Sequence, residues 1–512
     1  MRVAKFALGA LVVALSASNA YAQKSKDTLR LALNDPFVTL SNYHYNVDEA
    51  SNFNRTLYQS LLAFDEYKKQ WVSVLAKSWT RIGDRTLEFD LRDDVKFHNG
   101  NPFDADDVVE TIKFVGNPAS KITFPQRYNW IEKVEKLGPY TVRITSREPL
   151  SVDLQLLAYR FQMWDAETMR THQDVQDYGR LTPVGTGTMK LNFIDKNKGV
   201  MLERVENHYA DKTYFRAPIK YVHGVPLPDR QTQIAQILTG GIDMIRNASP
   251  DDAKELGKNP NLDVSNVRAA NIVYIGFDAK GVSNTKVFTD PRVRKAAWMA
   301  IDRDAIVEYI VPGGPSVVEK VTAICFQTTT PACNPTVLPP KYDPEGAKKL
   351  LAEAGYPNGI DFEYTVFAPQ KPIAEAVAGS WLRAGIRATV RPVPLTVYRK
   401  DQGDGKFQAW SILFPTGSHP DASNNISTLM QGAFEQYYGD QDIYKLLDAG
   451  IKEFDDQKRA SIYQQVYDHI NSRFYMYPLS SVPYAYVHTH DVKLMNNPLM
   501  AGETAITDYA WK

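Results

Sequence analysis

Short runs in which apolar and polar residues alternate recur along the chain, and a period of two marks a half-buried strand. Leu29 to Leu33 is the first such run, and Leu87, Phe89 and Leu91 point one way in the next. Tyr140 to Ile144, Met189 to Phe193, Val200 to Val205 and Ile386 to Arg391 predict further strands. Between them, helices announce themselves by their ends. Asp104 predicts a cap for a helix carrying Val108, Ile112 and Val115, because a short acidic side chain can accept a free first-turn N–H. Asp290-Pro291 before Val293, Ala297 and Ile301 adds Pro at the first helical position, where its missing donor costs nothing. Asp343-Pro344 repeats the device, and that helix stops at Gly355, with Tyr356-Pro357 preventing continuation. Pro372 to Gly385 predicts a helix, and Asp455 to Phe474 a long one with Ile462, Val466 and Ile470 on its apolar stripe.

The pattern is therefore mixed α/β in two or three lobes, with no fixed-period repeat and no low-complexity tract. Candidate junctions are the polar stretches around Ala166 to Pro183 and Ala269 to Ile272, and the Pro-containing segment from Pro478 to Pro483. A length of 512 residues exceeds one ordinary domain. The 59 basic residues balance 59 acidic ones, so there is no bulk charge to neutralise a phosphate backbone, and nucleic acid is excluded as a partner on that ground. The 28 Tyr outnumber the 22 Phe, which supplies many flat apolar faces with a hydrogen-bonding tip.

The first 22 residues predict a secretory signal. Arg2 and Lys5 give the positive end, Phe6 to Leu15 an apolar run too short to span a bilayer, and Ala20-Tyr21-Ala22 a small-residue cleavage site. Cleavage after Ala22 removes two of the 59 basic residues and no acid, so the mature chain carries 57 against 59, a net charge of −2. Export to an oxidising compartment allows Cys325 and Cys333 to pair across a short loop. No histidine near them completes a zinc site.

Catalytic motifs are missing. The chain has no Gly-x-Ser-x-Gly elbow, no His-Glu-x-x-His pair and no phosphate-cradling loop ending in Gly-Lys-Ser/Thr. Gly185-Thr186-Gly187 lacks the third glycine of a dinucleotide fingerprint and predicts a strand-entry turn. His98 predicts a turn residue whose ring bonds to backbone. No metal, cofactor or catalytic group is expected, and an exported hydrolase remains only as an alternative without a visible nucleophile and base.

A long block carries a family likeness: Leu75-Ala76-Lys77-Ser78-Trp79, then Thr86 to Val108 with Asp93-Asp94-Val95-Lys96-Phe97-His98-Asn99-Gly100 at its centre. Val184-Gly185-Thr186-Gly187, Gly241-Ile242-Asp243-Met244, Asp290 to Ala296 and Tyr342 to Pro357 follow in order. These segments resemble the bacterial extracellular solute-binding proteins of family 5, the oligopeptide, dipeptide and nickel type that serve ABC importers. The resemblance implies an α/β, two-lobe periplasmic-binding-protein fold of the Venus-flytrap, class II type, with an extra subdomain inserted in the N-terminal lobe. Its expected divisions are lobe I at 23–55, 166–270 and 483–512, the subdomain at 56–165, and lobe II at 271–482. It also implies a monomeric periplasmic protein that passes a small-molecule or peptide-like solute to an inner-membrane permease with cytoplasmic ATPases. A ligand-sensing receptor or scaffold is the other reading.

Site residues come from the same likeness. In peptide-binding relatives a carboxylate four places before the Pro of an Asp-x-x-x-Pro loop holds the ligand's ammonium group. Here Thr416 stands in that place before Pro420, and a buried ammonium without a carboxylate is costly. Thr416, Ser418 and His419 suit hydroxyls, amides or an anion, with Asp421 as a substitute carboxylate; the other reading is that they satisfy their own loop. Position in the family further points to Tyr45, Asn46 and Val47, to Tyr128 and Trp130, to Tyr159 and Arg160, to Tyr274 and to Trp410. The aromatics would stack on the solute, or pack the core, and Arg160 would pair with a carboxylate or phosphate.

Overall fold

Three sheets organise the chain. The first has seven strands in the order Leu262–Val267, Tyr484–Thr489, Met244–Ile245, Thr28–Leu33, Tyr221–Pro226, Gly199–Arg204 and Met189–Asp195. Thr28–Leu33 runs parallel to both of its neighbours, and the other pairings are antiparallel. The second has five strands in the order Ile386–Val393, Ile360–Phe367, Ala409–Pro415, Asn271–Phe277 and Met476–Ser480. The third is a four-stranded antiparallel sheet of Ala76–Ile82, Thr86–Leu91, Thr141–Ser146 and Ile131–Gly138. The computed structural model describes residues 27–34, 39–44, 48–172, 178, 182–269, 271–318, 321–325, 333–415, 421–495, 497, 499 and 505–512. The expected leader lies outside them, as do Tyr45, Asn46, Val47, Thr416, Ser418 and His419. No helix among the described residues is long and apolar enough to cross a membrane.

Each sheet is held by what it buries. Leu29, Leu31 and Leu33 join Leu87, Phe89 and Leu91 in one core, so the four-stranded sheet is packed on the seven-stranded body. Asn271–Phe277 is buried at every position, as a central strand must be when both faces of its sheet are covered. Val273, Ile275 and Phe277 enter one core beside Trp381, and Ile272 and Tyr274 enter the other beside Trp410. The chain passes from the seven-stranded sheet to the five-stranded one between Val267 and Asn271, and returns between Ser480 and Tyr484.

Local signals act where the helices begin and end. The Asp104 side chain accepts from Asp106 N, and Asp107 answers at the Asp104 backbone, closing a capping box on Ala105–Gly116. Asp290, Asp343 and Asp455 each accept one first-turn N–H at the start of Pro291–Met299, Pro344–Glu353 and Asp456–Ser472, without the reciprocal bond. Gly355 takes a left-handed φ of 96°, which ends its helix. Two expectations shift. The helix near Pro372 runs from Lys371 to Leu382, and the stripe of the last long helix is Tyr463, Val466, Tyr467 and Ile470, with Ile462 beside it rather than in it. Gly187 has a packing reason: a Cβ there would lie 2.0 Å from the Thr56 carbonyl oxygen, so the strand entry touches bare backbone. Cys325 and Cys333 form a disulfide with Cα atoms 5.8 Å apart.

Candidate functional site

The helix Asp153–Arg160 delivers Tyr159 and Arg160 in its last turn, and Phe161 follows at full burial. Phe161 is the anchor of an aromatic wall. The Tyr128 ring meets it edge-on at 5.2 Å and Trp130 at 5.9 Å, and Tyr128 also meets Tyr43 edge-on at 5.6 Å. Such edge-to-face contacts hold rings in fixed orientations. The 3-10 turn Pro125–Arg127 brings Arg127 to the same wall, with its guanidinium 4.0 Å above the Phe124 ring.

Arg160 is the exceptional group. Its Nε is buried and has no partner, and no carboxylate among the described residues is bonded to Arg160 or Arg127. Burial pushes the Arg160 guanidinium down from its ordinary value to about 9; the Arg127 charge pushes the same way, Tyr128 pulls back, and Arg55 adds a further push. Arg127 is lowered too, by burial first. The Tyr128 hydroxyl is raised by burial while both arginines draw it back, which places its oxygen in their shared field. Trp130 Nε1 is a second buried donor without an acceptor. The wall therefore holds a surplus of donors and positive charge, and a carboxylate or phosphate is the chemistry that resolves it. Tyr159 is used differently: its hydroxyl donates to Glu66 Oε1 at 3.2 Å.

The expected residues of the five-stranded body are placed less openly. Trp410 is fully buried, stacked on Phe434 at 4.9 Å with 3° between the planes, and its indole lies where a Cβ on Gly276 would be. Tyr274 is fully buried as well, edge-on to Phe434. Both lie in the buried core beneath the sheet, side by side. Asp421 is buried; its Oδ1 accepts from Ser423 N at 2.9 Å and Ser423 Oγ at 2.7 Å, while Oδ2 is unpartnered. Burial and then the Asp421 charge raise the hydroxyls of Tyr463 and Tyr467. The remaining expected residues, Tyr45, Asn46, Val47, Thr416, Ser418 and His419, lie outside the described residues.

Three features escaped the sequence reading. The buried side chain of Asn271 donates to Val482 O at 2.9 Å and accepts from Val482 N at 2.8 Å, tying the two crossings between sheets to each other. Ser151 N and Oγ donate to Ile451 O at 2.8 and 2.9 Å, and Arg459 reaches Ser151 O at 3.4 Å. Beside them Arg81 pairs with Asp153 and lies 4.7 Å above the Phe454 ring. These contacts join the body of the four-stranded sheet to that of the five-stranded one. Apart from the pair Arg81–Asp153, they join residues more than 200 positions apart, so no local pattern announces them.

His98 bonds Gly187 O through Nε2 at 2.9 Å, and burial lowers its ring to about 4, so it is a neutral structural residue. Ser41 Oγ does meet His44 Nδ1 at 2.7 Å, but Ser41 is fully buried and the other His44 nitrogen is taken by Ser120 O. Among the described residues no group of three or more His, Cys, Asp or Glu is arranged to hold a metal.

The family model described as bacterial extracellular solute-binding proteins, family 5 Middle, matches residues 70–435. The glutathione-binding protein GsiB of Shigella dysenteriae serotype 1 is 27% identical over 485 residues, 90% of each chain. Heme-binding protein A of Haemophilus influenzae is 26% identical over 464 residues, 84% of this chain and 81% of its own. Among solved structures, the ABC transporter-associated periplasmic binding protein DppA from Helicobacter pylori, in complex with the peptide STSA, superposes with a TM-score of 0.74 at 20% identity, covering 96% of this chain and 99% of its own. The architecture is that of the two-lobe periplasmic binding proteins.

Proposed function

The chain belongs to the bacterial extracellular solute-binding proteins, family 5, and we propose that it is the exported capture component of an ABC importer for an anionic, peptide-like solute. One observation carries the anionic part: the Nε of Arg160 is buried without a hydrogen-bond partner, and no carboxylate among the described residues is bonded to that side chain. A guanidinium kept in that state loses hydration without gaining a partner, and a ligand oxyanion supplies what is missing. Glutathione and haem, for which two relatives are named, both carry carboxylates, which supports the reading.

The mechanism is closure. A solute that touches both lobes binds the closed form better than the open one and shifts the equilibrium by that difference in affinity. Lobe I is assigned to 23–55, 166–270 and 483–512, the subdomain to 56–165 and lobe II to 271–482, so the Asn271–Val482 clamp sits at the hinge. The contacts of Ser151 with Ile451 and Arg459 form only when subdomain and lobe II meet. The closed shape is then read by an inner-membrane permease with cytoplasmic ATPases, and the protein acts as a periplasmic monomer after losing residues 1–22.

The test is a thermal-shift titration of the purified protein against peptide-like acids, repeated with Arg160→Ala. A ligand at about 100 times its Kd stabilises by about 2.7 kcal/mol. Wild-type protein is expected to shift and Arg160→Ala to lose the shift for acids alone; undiminished shifts in the variant would sink the role of Arg160.

A further inference from the structure

We infer that closure is held by a latch built from protein groups alone: Ser151 and Arg81, on the body of the four-stranded sheet, engage Ile451, Phe454 and Arg459 on that of the five-stranded sheet, whatever solute lies between them. The inference rests on the closing motion proposed above and not on the charge of the solute. Ile451 sits in the last turn of the helix Gln441–Lys452, where a backbone carbonyl has no partner within its own helix. Ser151 supplies two donors to it, N at 2.8 Å and Oγ at 2.9 Å. Ser151 lies two residues before the helix Asp153–Arg160, so the positive end of one helix meets the negative end of the other. Phe454, between the helices Gln441–Lys452 and Asp456–Ser472, lies 4.7 Å under the Arg81 guanidinium.

A chance contact would bring together long, freely rotating side chains. Here the partners are fixed before they meet. Arg81, on the strand Ala76–Ile82, is held by both oxygens of Asp153 at 2.8 and 2.6 Å, and the Asp153 side chain is 2% exposed. Arg459 is buried and bonded to Asp456 at 2.9 Å, and its other terminal nitrogen reaches Ser151 O at 3.4 Å. Ser151 engages partly through its backbone. Little rotamer freedom is therefore lost when the two surfaces join. None of these residues belongs to the aromatic wall of Tyr128, Trp130 and Phe161. Asp153 nevertheless opens the helix that Arg160 ends, about 11 Å further along at 1.5 Å per residue. Closing the latch thus also fixes where Arg160 stands against the five-stranded body. The latch contributes a factor common to all solutes, whereas Arg160 separates acids from the rest.

The test is pulsed electron paramagnetic resonance on the full mature protein, refolded from denaturant to remove any bound solute. Spin labels are placed through Lys113→Cys and Lys348→Cys, exposed positions on the two bodies, while the native cysteines are paired with each other. With the latch intact, the distance distribution is expected to hold a short, closed population beside a long, open one. Ser151→Ala should lower the short-to-long ratio by about two- to tenfold, the loss of one hydrogen bond. Phe454→Ala should lower it by about two- to fivefold, the loss of the ring under Arg81. The double variant should fall further than either, with far-UV circular dichroism confirming the fold of each. The same ratio with the latch intact and in the double variant, or no short population with the latch intact, overturns the inference. No solute is present, so that failure leaves the role of Arg160 standing; the role of Arg160 fails separately, in the thermal-shift titration.

Discussion

Replacing Arg160 by Met should make the ligand-free protein more stable and the same protein unable to hold its solute. Met keeps an unbranched stem where the buried part of Arg160 lies and removes the charge that has no partner. The fall of the guanidinium from 12.5 to about 9 corresponds to about 5 kcal/mol against the charged form, at about 1.4 kcal/mol per tenfold. That figure is an upper bound, because the outer part of the side chain still reaches water and sites of this kind behave as if the surrounding dielectric were about 20. A gain of about 2 kcal/mol is the working expectation. Calorimetry of the ligand-free protein should show the transition that includes the subdomain rising by roughly 2–4 °C per kcal/mol. Titration with a carboxylate ligand should show affinity falling by about 10- to 100-fold, the loss of one charge-assisted bond. Arg160→Lys should fall between the two in stability and recover only part of the binding, because an ammonium cannot fork onto a carboxylate. A variant that melts below wild type would mean that Arg160 is already satisfied within the protein, and the reasoning from its missing partner would collapse.

Other expectations follow from single contacts. Asn271→Ala leaves the N–H and C=O of Val482 without their side-chain partner, so stability in denaturant should drop by about 1–3 kcal/mol; an unchanged midpoint would remove the clamp from the account. Phe454→Ala takes the ring from under Arg81 at a place assigned no ligand contact; with about 0.5–1 kcal/mol lost from the closed form, affinity should fall about two- to fivefold and small-angle scattering should report a more open free protein. The pH dependence has a definite sign at His98. Its folded value of about 4 lies below the unfolded 6.5, so its contribution is full above pH 6.5 and is lost as pH falls toward 4, by at most about 3 kcal/mol. His98→Gln should therefore flatten the decline between pH 7 and 4.5 relative to wild type, and a parallel decline would contradict the assignment.

Much of the secondary structure was legible because its causes are local. Asp104, Asp290, Asp343 and Asp455 cap helices from within three residues, and Gly355 ends one by its own φ. The long helix shows where local reading fails. Its stripe is half tyrosine, and an apolar pattern built from Ile462, Val466 and Ile470 misses that Tyr463 and Tyr467 are buried beside Val466 and Ile470. Tyr274 and Trp410 show the same limit: an aromatic that stacks on a ligand and one that meets Phe434 in the core look alike in sequence. Gly276 was the available sign, since a glycine within an apolar strand often marks the close approach of a bulky neighbour, here the Trp410 indole. The pairing of the four-stranded sheet and the two crossings depend on residues far apart in the chain, and family likeness rather than periodicity anticipated the two-lobe arrangement. Arg160 stood out by position. Arg127 carried no signal, because an arginine between Gln126 and Tyr128 has the look of any surface cation until its stacking on Phe124 is seen.

Native mass spectrometry of the mature protein, purified without added ligand and sprayed beside Arg160→Met, tests the central claim most directly. Wild type should carry a co-purified peptide-like molecule whose fragmentation reveals carboxylates, and Arg160→Met should emerge empty. A bound molecule without an acidic group, or one that Arg160→Met retains in full, would contradict the account.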